Sequence, residues 1–147
     1  MAPLQIVSVI IIIKCSGKYL LVQRSKDDDI FPGKWQNMGG KVELGERLEE
    51  SIKREILEEI GLKIDSHPQF IMSYSWKKDE DSPVRLGIIF QVDLEGTVDK
   101  YKINLDNELE NYGWYLLSEA EKLDTIGIDS PTGTLGQLRF ANEHSSD

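Results

Sequence analysis

The chain has 147 residues, 39% of them hydrophobic, which is enough to build a folded core and excludes global disorder. Its 17 basic residues against 26 acidic ones give a formal net charge of −9, the wrong balance for a protein that grips nucleic acid through its phosphate backbone. A single cysteine, Cys15, excludes a disulfide framework and any multi-cysteine zinc site, and the two histidines, His67 and His144, stand in no metal-ligand spacing.

The apolar run Leu4 to Ile13 is about ten residues long, against roughly 20 for a membrane-spanning helix, and it lacks a basic leader and a small-residue cleavage site. Its β-branched content predicts a core strand buried on both faces, and with it a cytoplasmic protein without membrane contact. Cys15-Ser16-Gly17-Lys18 reads as a hairpin turn and Tyr19 to Arg24 as the return strand. Three aspartates, Pro32 and Gly33 mark Ser25 to Lys34 as a loop, and a short extended piece, Trp35 to Met38, leads into Gly39-Gly40. Arg47 to Ile60 carries the helical pattern, ended by Gly61.

Strands are expected at Gln69 to Trp76 and Val84 to Leu94, joined by an exposed connection, and again around Tyr112 to Leu117. Ser118 is expected to cap a short helix through Leu123, and Ser130-Pro131 to open a last helix toward Phe140. Glu143 to Asp147 should fray. No repeat or linker divides residues 1–147, which read as one domain: a mixed sheet with helices on its faces.

The chemistry concentrates on the Arg47–Ile60 helix. Glu55, Glu58 and Glu59 stand at i, i+3 and i+4 and project from one face. Leu48, Ile52, Ile56 and Ile60 form the neighbouring stripe that packs on the sheet, so the acidic face lies beside the buried seam. Like charges at this spacing repel even when solvated, and crowding them along a packed seam asks for a cation. Oxygen-only ligands point to Mg²⁺ or Mn²⁺ rather than zinc. Upstream, Gly39-Gly40 brings main chain to the helix entrance, and Arg24 and Lys41 are basic groups placed to bridge phosphate to the metal.

Gly40, five residues, Glu46, seven residues, then Arg54-Glu55-Ile56-Leu57-Glu58-Glu59-Ile60-Gly61-Leu62 resembles the Nudix box of the Nudix hydrolases, with all nine specified positions filled across 23 residues. Pro32-Gly33-Lys34-Trp35 and Gly39-Gly40-Lys41-Val42 resemble the family's approach to the box, apart from Met38, where many members have proline. The likeness spans about residues 4 to 117. It implies an α/β/α sandwich and cleavage of a nucleoside diphosphate linked to another group. Glu55, Glu58 and Glu59 would then hold the metal with the carbonyl of Gly39, Arg54 would orient the carboxylates, and Glu46 would add a further carboxylate. The metal neutralises the diphosphate, which lets so acidic a protein take a polyanion.

The resemblance implies as general base either a box glutamate or an acidic residue on a loop near the substrate; Asp106, Glu108 and Glu110 precede the strand containing Trp114, Glu108 first among them. Trp35, Tyr74, Trp76 and Phe90 are the candidate surfaces for the organic half of the substrate, Trp35 and Tyr74 foremost. The short chain and its likeness to MutT-like members favour a (d)NTP pyrophosphohydrolase acting on a small-molecule nucleotide, as monomer or homodimer. An ADP-ribose or other nucleotide-sugar hydrolase is the nearest alternative; such enzymes often carry an N-terminal dimerising segment, whereas the first core strand here begins by about residue 4. A non-catalytic nucleotide-binding module would have lost the box carboxylates, and RNA-end processing would want a basic groove.

Overall fold

A computed structural model describes residues 4–144. Strand β1 (Gln5–Cys15) turns through Ser16 and Gly17, both left-handed at φ 51° and 76°, into β2 (Lys18–Arg24). Such a two-residue turn matches the twist of a hairpin. The two strands pair only at Lys14↔Tyr19 and Cys15↔Lys18 and then part company. Beyond the split, β3 (Trp35–Gln36) pairs with β2 and β4 (Met38–Lys41) with β1, so residues 35–41 cross the gap between them. That crossing places Gly39 and Gly40 inside a strand, at the heart of the later site.

Helix α1 (Leu48–Ile60) follows, then the antiparallel pair β5 (Gln69–Trp76) and β6 (Val84–Leu94), whose bounds agree with the sequence reading. Strand β6 lies parallel to β1 from Gln5↔Val84 to Cys15↔Leu94. Strand β7 (Leu109–Tyr115) pairs with β2, completing a seven-stranded mixed sheet.

Alternation along β1 sorts the core into two layers. Val9, Ile11 and Ile13 face Ile52, Ile56 and Ile60 of α1, all at most 1% exposed. Ile12 faces the other way, onto Leu135 and Leu138 of α3 (Thr134–Glu143) and Ala120 of α2 (Leu117–Ala120). Full burial of each such side chain contributes about 1.5–3 kcal/mol, so three isoleucines four residues apart suffice to dock α1. The result is the expected α/β/α sandwich. Cys15 is buried, its thiol against the carbonyl of Gly96 at 3.4 Å. Among the described residues, no helix is long and apolar enough to cross a membrane.

The C-terminal elements depart from expectation. Strand β7 begins at Leu109 and ends at Tyr115. Ser118 does not cap α2; Leu116 is its N-cap residue, and the Glu119 carboxylate accepts the Leu116 N–H at 2.8 Å. Helix α3 starts at Thr134 rather than at Ser130-Pro131, because Ser130 folds back onto Gly127 (2.9 Å) and the Thr134 N–H is held by the Ile126 carbonyl (2.9 Å). It runs past Phe140, so Glu143 belongs to the helix; His144 ends it, stacked on Phe140 with ring centroids 4.1 Å apart. Residues 145–147 of the tail expected to fray lie outside the described residues.

Candidate active site

Docking α1 through Ile52, Ile56 and Ile60 fixes where its acidic residues go. Glu55 and Glu59 each precede a buried isoleucine and are drawn toward the seam, whereas Glu58 points outward. Their side chains differ accordingly: that of Glu55 is 10% exposed and that of Glu58 57%. Strand β4 runs directly beneath. A Cβ on Gly40 would coincide with the Glu55 carboxyl group, and one on Gly39 would collide with main chain of Val9 and Ile10. Both glycines are there for close approach.

Arg54 organises the carboxylates. Its Nε and Nη2 donate to the two oxygens of Glu46 at 2.7 and 2.9 Å, and its Nη1 donates to Glu55 at 2.7 Å and Glu58 at 3.2 Å. Nη2 also reaches the Lys41 carbonyl at 3.0 Å, tying α1 to the end of β4. Arg54, with Ser51 and the Glu43 N–H, holds the Glu46 carboxyl down at about 2. The same contact to Glu46 raises the pKa of Arg54, so its guanidinium stays charged.

Glu59 has the opposite surroundings. Burial, then Glu55, Asp106 and Glu108 push its carboxyl up to about 8, against the opposing hydrogen bond from the Gly39 N–H. Its Oε2 is buried without a hydrogen-bond partner. Burial likewise raises Glu55, with Arg54 opposing. Asp106 and Glu108 arrive because their loop docks on the end of α1: the N–H groups of Asn104 and Asp106 donate to the carbonyls of Ile60 and Glu59, both at 2.9 Å. Gly61, left-handed at φ 73°, turns the chain away at that point.

Arg54, Glu55, Glu58, Glu59, Asp106 and Glu108 line a cleft of about 670 Å³, together with Arg24, Asp28, Gln36, Gly39, Gly40, Lys41, Glu43 and Leu109. Among the described residues, no three acidic or histidine side chains converge into a ready-made cation cage. Arg54 holds Glu55 and Glu58 to itself instead. The unpartnered oxygen of Glu59, its desolvation among acidic neighbours and the all-oxygen donor set nevertheless fit a hard divalent cation.

The NUDIX domain model matches residues 3–132. The chain belongs to the Nudix family. Nucleoside triphosphatase NudI of Escherichia coli O139:H28 is 50% identical over 50 residues, 34% of this chain and 36% of that protein, so the match spans about a third of its curated relative. The MutT protein of Methanosarcina mazei Go1 superposes with a TM-score of 0.74 at 25% identity, covering 99% of both chains. The NUDIX domain of Shewanella oneidensis NrtR, in complex with ADP ribose, gives 0.76 at 17% identity over 97% of this chain and 89% of that one, a likeness of fold.

The Nudix box thus occupies β4, the turn after it and α1. Of the residues singled out in the sequence, Gly39, Lys41, Arg54, Glu55, Glu58, Glu59, Glu108 and Arg24 line the cleft. Glu46 does not: its oxygens are taken up by Arg54, Ser51 and the Glu43 N–H, so it reaches the cleft only through Arg54. Glu110, on β7, stays outside, while Asp106 and Glu108 enter. Trp35 is a core residue, 9% exposed and edge-on to Tyr115 at 5.5 Å, and Tyr74 is half-buried with its ring beside Gly87. Trp76 and Phe90 lie on β5 and β6, away from the cleft lining.

Sequence reasoning missed Asp28 and Gln36. Arg24 donates to Asp28 (2.8 Å), to Gln36 (3.3 Å) and to the Ile30 carbonyl (2.7 Å), using three of its five N–H donors inside the protein. In a run of three aspartates nothing distinguishes Asp28 except its spacing of four from Arg24. Gln36 is betrayed only by strand alternation with Trp35, which is buried in the opposite layer.

Proposed function

We propose that this Nudix protein is a Mg²⁺- or Mn²⁺-dependent pyrophosphohydrolase that cleaves nucleoside triphosphates to a nucleoside monophosphate and pyrophosphate. The observation that carries this reading is the buried Glu59 carboxyl, one oxygen unpartnered, among three other acidic side chains beside a glycine-lined strand. The triphosphatase activity in the name of the NudI relative supports the substrate class over the segment the two share.

In this reading Glu55, Glu58 and Glu59, with the Gly39 carbonyl, hold the cation. Bound there, it supplies positive charge against the diphosphate and acidifies water for attack. Arg54, anchored by Glu46, sets the orientation of Glu55 and Glu58. Glu108, carried in on the loop that docks on α1, accepts the proton of the attacking water. Water adds to a phosphorus of the α–β bridge, the bond from that phosphorus to the bridging oxygen breaks, and the other fragment leaves with that oxygen, giving monophosphate and pyrophosphate. Lys41 and the two remaining N–H donors of Arg24 hold the terminal phosphates, which offsets the acidity of the wall.

The reading is tested by mass spectrometry of products formed in ¹⁸O-labelled water from a panel of nucleoside triphosphates and nucleotide sugars with Mg²⁺. Expected are a nucleoside monophosphate and pyrophosphate, with one ¹⁸O from water in one of those two products. Orthophosphate with a nucleoside diphosphate would show terminal cleavage and contradict the placement of the substrate. Turnover of nucleotide sugars alone would transfer the proposal to that class.

A further inference from the structure

The residues first in line to stack on the organic half of a nucleotide are engaged elsewhere, Trp35 in the core and Tyr74 beside Gly87. The loop between β2 and β3 offers an aromatic ring that is not. Phe31 sits at φ 46°, in the left-handed region that residues with a side chain rarely adopt. Phe31 is 42% exposed and belongs to neither core layer.

The loop is clamped into this conformation. Arg24 donates to the Ile30 carbonyl at 2.7 Å and to Asp28 at 2.8 Å, and Asp28 accepts the Ile30 N–H at 3.0 Å. Gln23 donates to the Gly33 carbonyl at 3.0 Å, and the Lys34 N–H to the Phe31 carbonyl at 3.2 Å. Arg24 and Asp28 are themselves walls of the cleft and bind the main chain of Ile30 directly, so the tip adjoins that wall without forming part of it. The tip itself is apolar, Ile30 being 54% exposed in sequence beside Phe31.

We infer that Phe31, flanked by Ile30, is a specificity-determining platform on which the planar base of a nucleotide packs while its phosphates lie in the cleft. This rests on the nucleotide reading above. The platform offers a flat apolar surface without hydrogen-bonding side chains of its own, so it selects for a base over a base-free polyphosphate and discriminates weakly among bases. Loss of one aromatic stacking partner weakens binding roughly five- to twentyfold.

The test compares calorimetric affinities, with Mg²⁺ present, for an uncleavable α,β-methylene nucleoside triphosphate and for methylenediphosphonate, which has no base. Phe31→Gly should weaken the nucleotide roughly five- to twentyfold and leave the diphosphonate unchanged, while Phe31→Tyr keeps wild-type affinity for both. Glycine adopts the left-handed backbone without strain, so the Phe31→Gly melting temperature should equal or exceed that of the wild type. Equal nucleotide affinity in all three proteins would overturn the platform alone. So would a parallel loss of diphosphonate affinity, a lowered melting temperature in Phe31→Gly, or a wild-type dimer that becomes monomeric in the variant with nucleotide affinity unaltered. A wild type that binds the diphosphonate but gains nothing from the nucleotide would overturn both the platform and the nucleotide reading.

Discussion

Glu59→Gln is expected to remove turnover and at the same time stabilise the metal-free protein. The carboxyl of Glu59 titrates at about 8 in the fold, against the ordinary carboxylate range in the unfolded chain. Between those values the folded state keeps a proton that the unfolded state has released. Metal-free stability is therefore full below the ordinary carboxylate range, falls as pH rises, and levels off above about 8. Glutamine preserves the shape and the hydrogen bond from Gly39 but carries no charge, which removes this slope. In chelator, urea unfolding should show little difference between variant and wild type at pH 5. By pH 8 the variant should lead by on the order of 2–4 kcal/mol, each pKa unit corresponding to about 1.4 kcal/mol. Turnover with metal should fall by at least about two orders of magnitude. Glu58→Gln is the contrast: its exposed carboxylate loses only the 3.2 Å contact to Arg54, so stability should move by less than about 1 kcal/mol while activity still collapses. A pH-independent gap for Glu59→Gln would contradict its raised carboxyl, and near-normal turnover in both variants would remove Glu58 and Glu59 from the catalytic site.

Gly40→Ala and Gly39→Ala are expected to separate site from fold. The methyl group added at Gly40 would take the position of the Glu55 carboxyl, the movable end of a side chain. Glu55 can swing aside, so unfolding stability should drop by no more than about 1–2 kcal/mol while kcat falls by about two orders of magnitude. At Gly39 the added methyl meets the Val9 carbonyl and lies 3.1 Å from the Ile10 Cα across the β1–β4 pairing. Main chain cannot yield so easily, and a loss of about 1–3 kcal/mol should accompany the loss of activity. Denaturant midpoints and kcat measured on both variants decide it; equal destabilisation of the two would contradict the assignment of Gly40 to the site.

The acidic face was legible because it depends on local periodicity. Spacing alone puts Glu55 and Glu59 next to Ile56 and Ile60, and the seam then determines their burial. The strands β5 and β6 were legible for the same reason, being long β-rich runs between polar turns. What escaped depends on partners distant in sequence. Nothing local says that Arg54 saturates Glu46, which removes that carboxylate from the cleft wall. Trp35 beside a loop looks available for stacking, yet it pairs with Thr125 in an isolated bridge and is sealed under the α2–α3 layer. The start of α3 is decided by the Ile126 carbonyl, eight residues upstream of Thr134, rather than by the serine-proline pair expected to open it. Phe31 was invisible because its distinction is a backbone angle.

Titration of chelator-stripped protein with Mn²⁺, followed by the loss of the free-ion EPR signal, addresses the acidic face of α1 most directly. The wild type should bind Mn²⁺, Glu59→Gln should bind it at least about tenfold more weakly, and Glu49→Gln, altered in the first turn of the same helix, should match the wild type. Absence of saturable binding in the wild type, or the same affinity in all three proteins, would contradict a divalent-cation site at Glu55, Glu58 and Glu59.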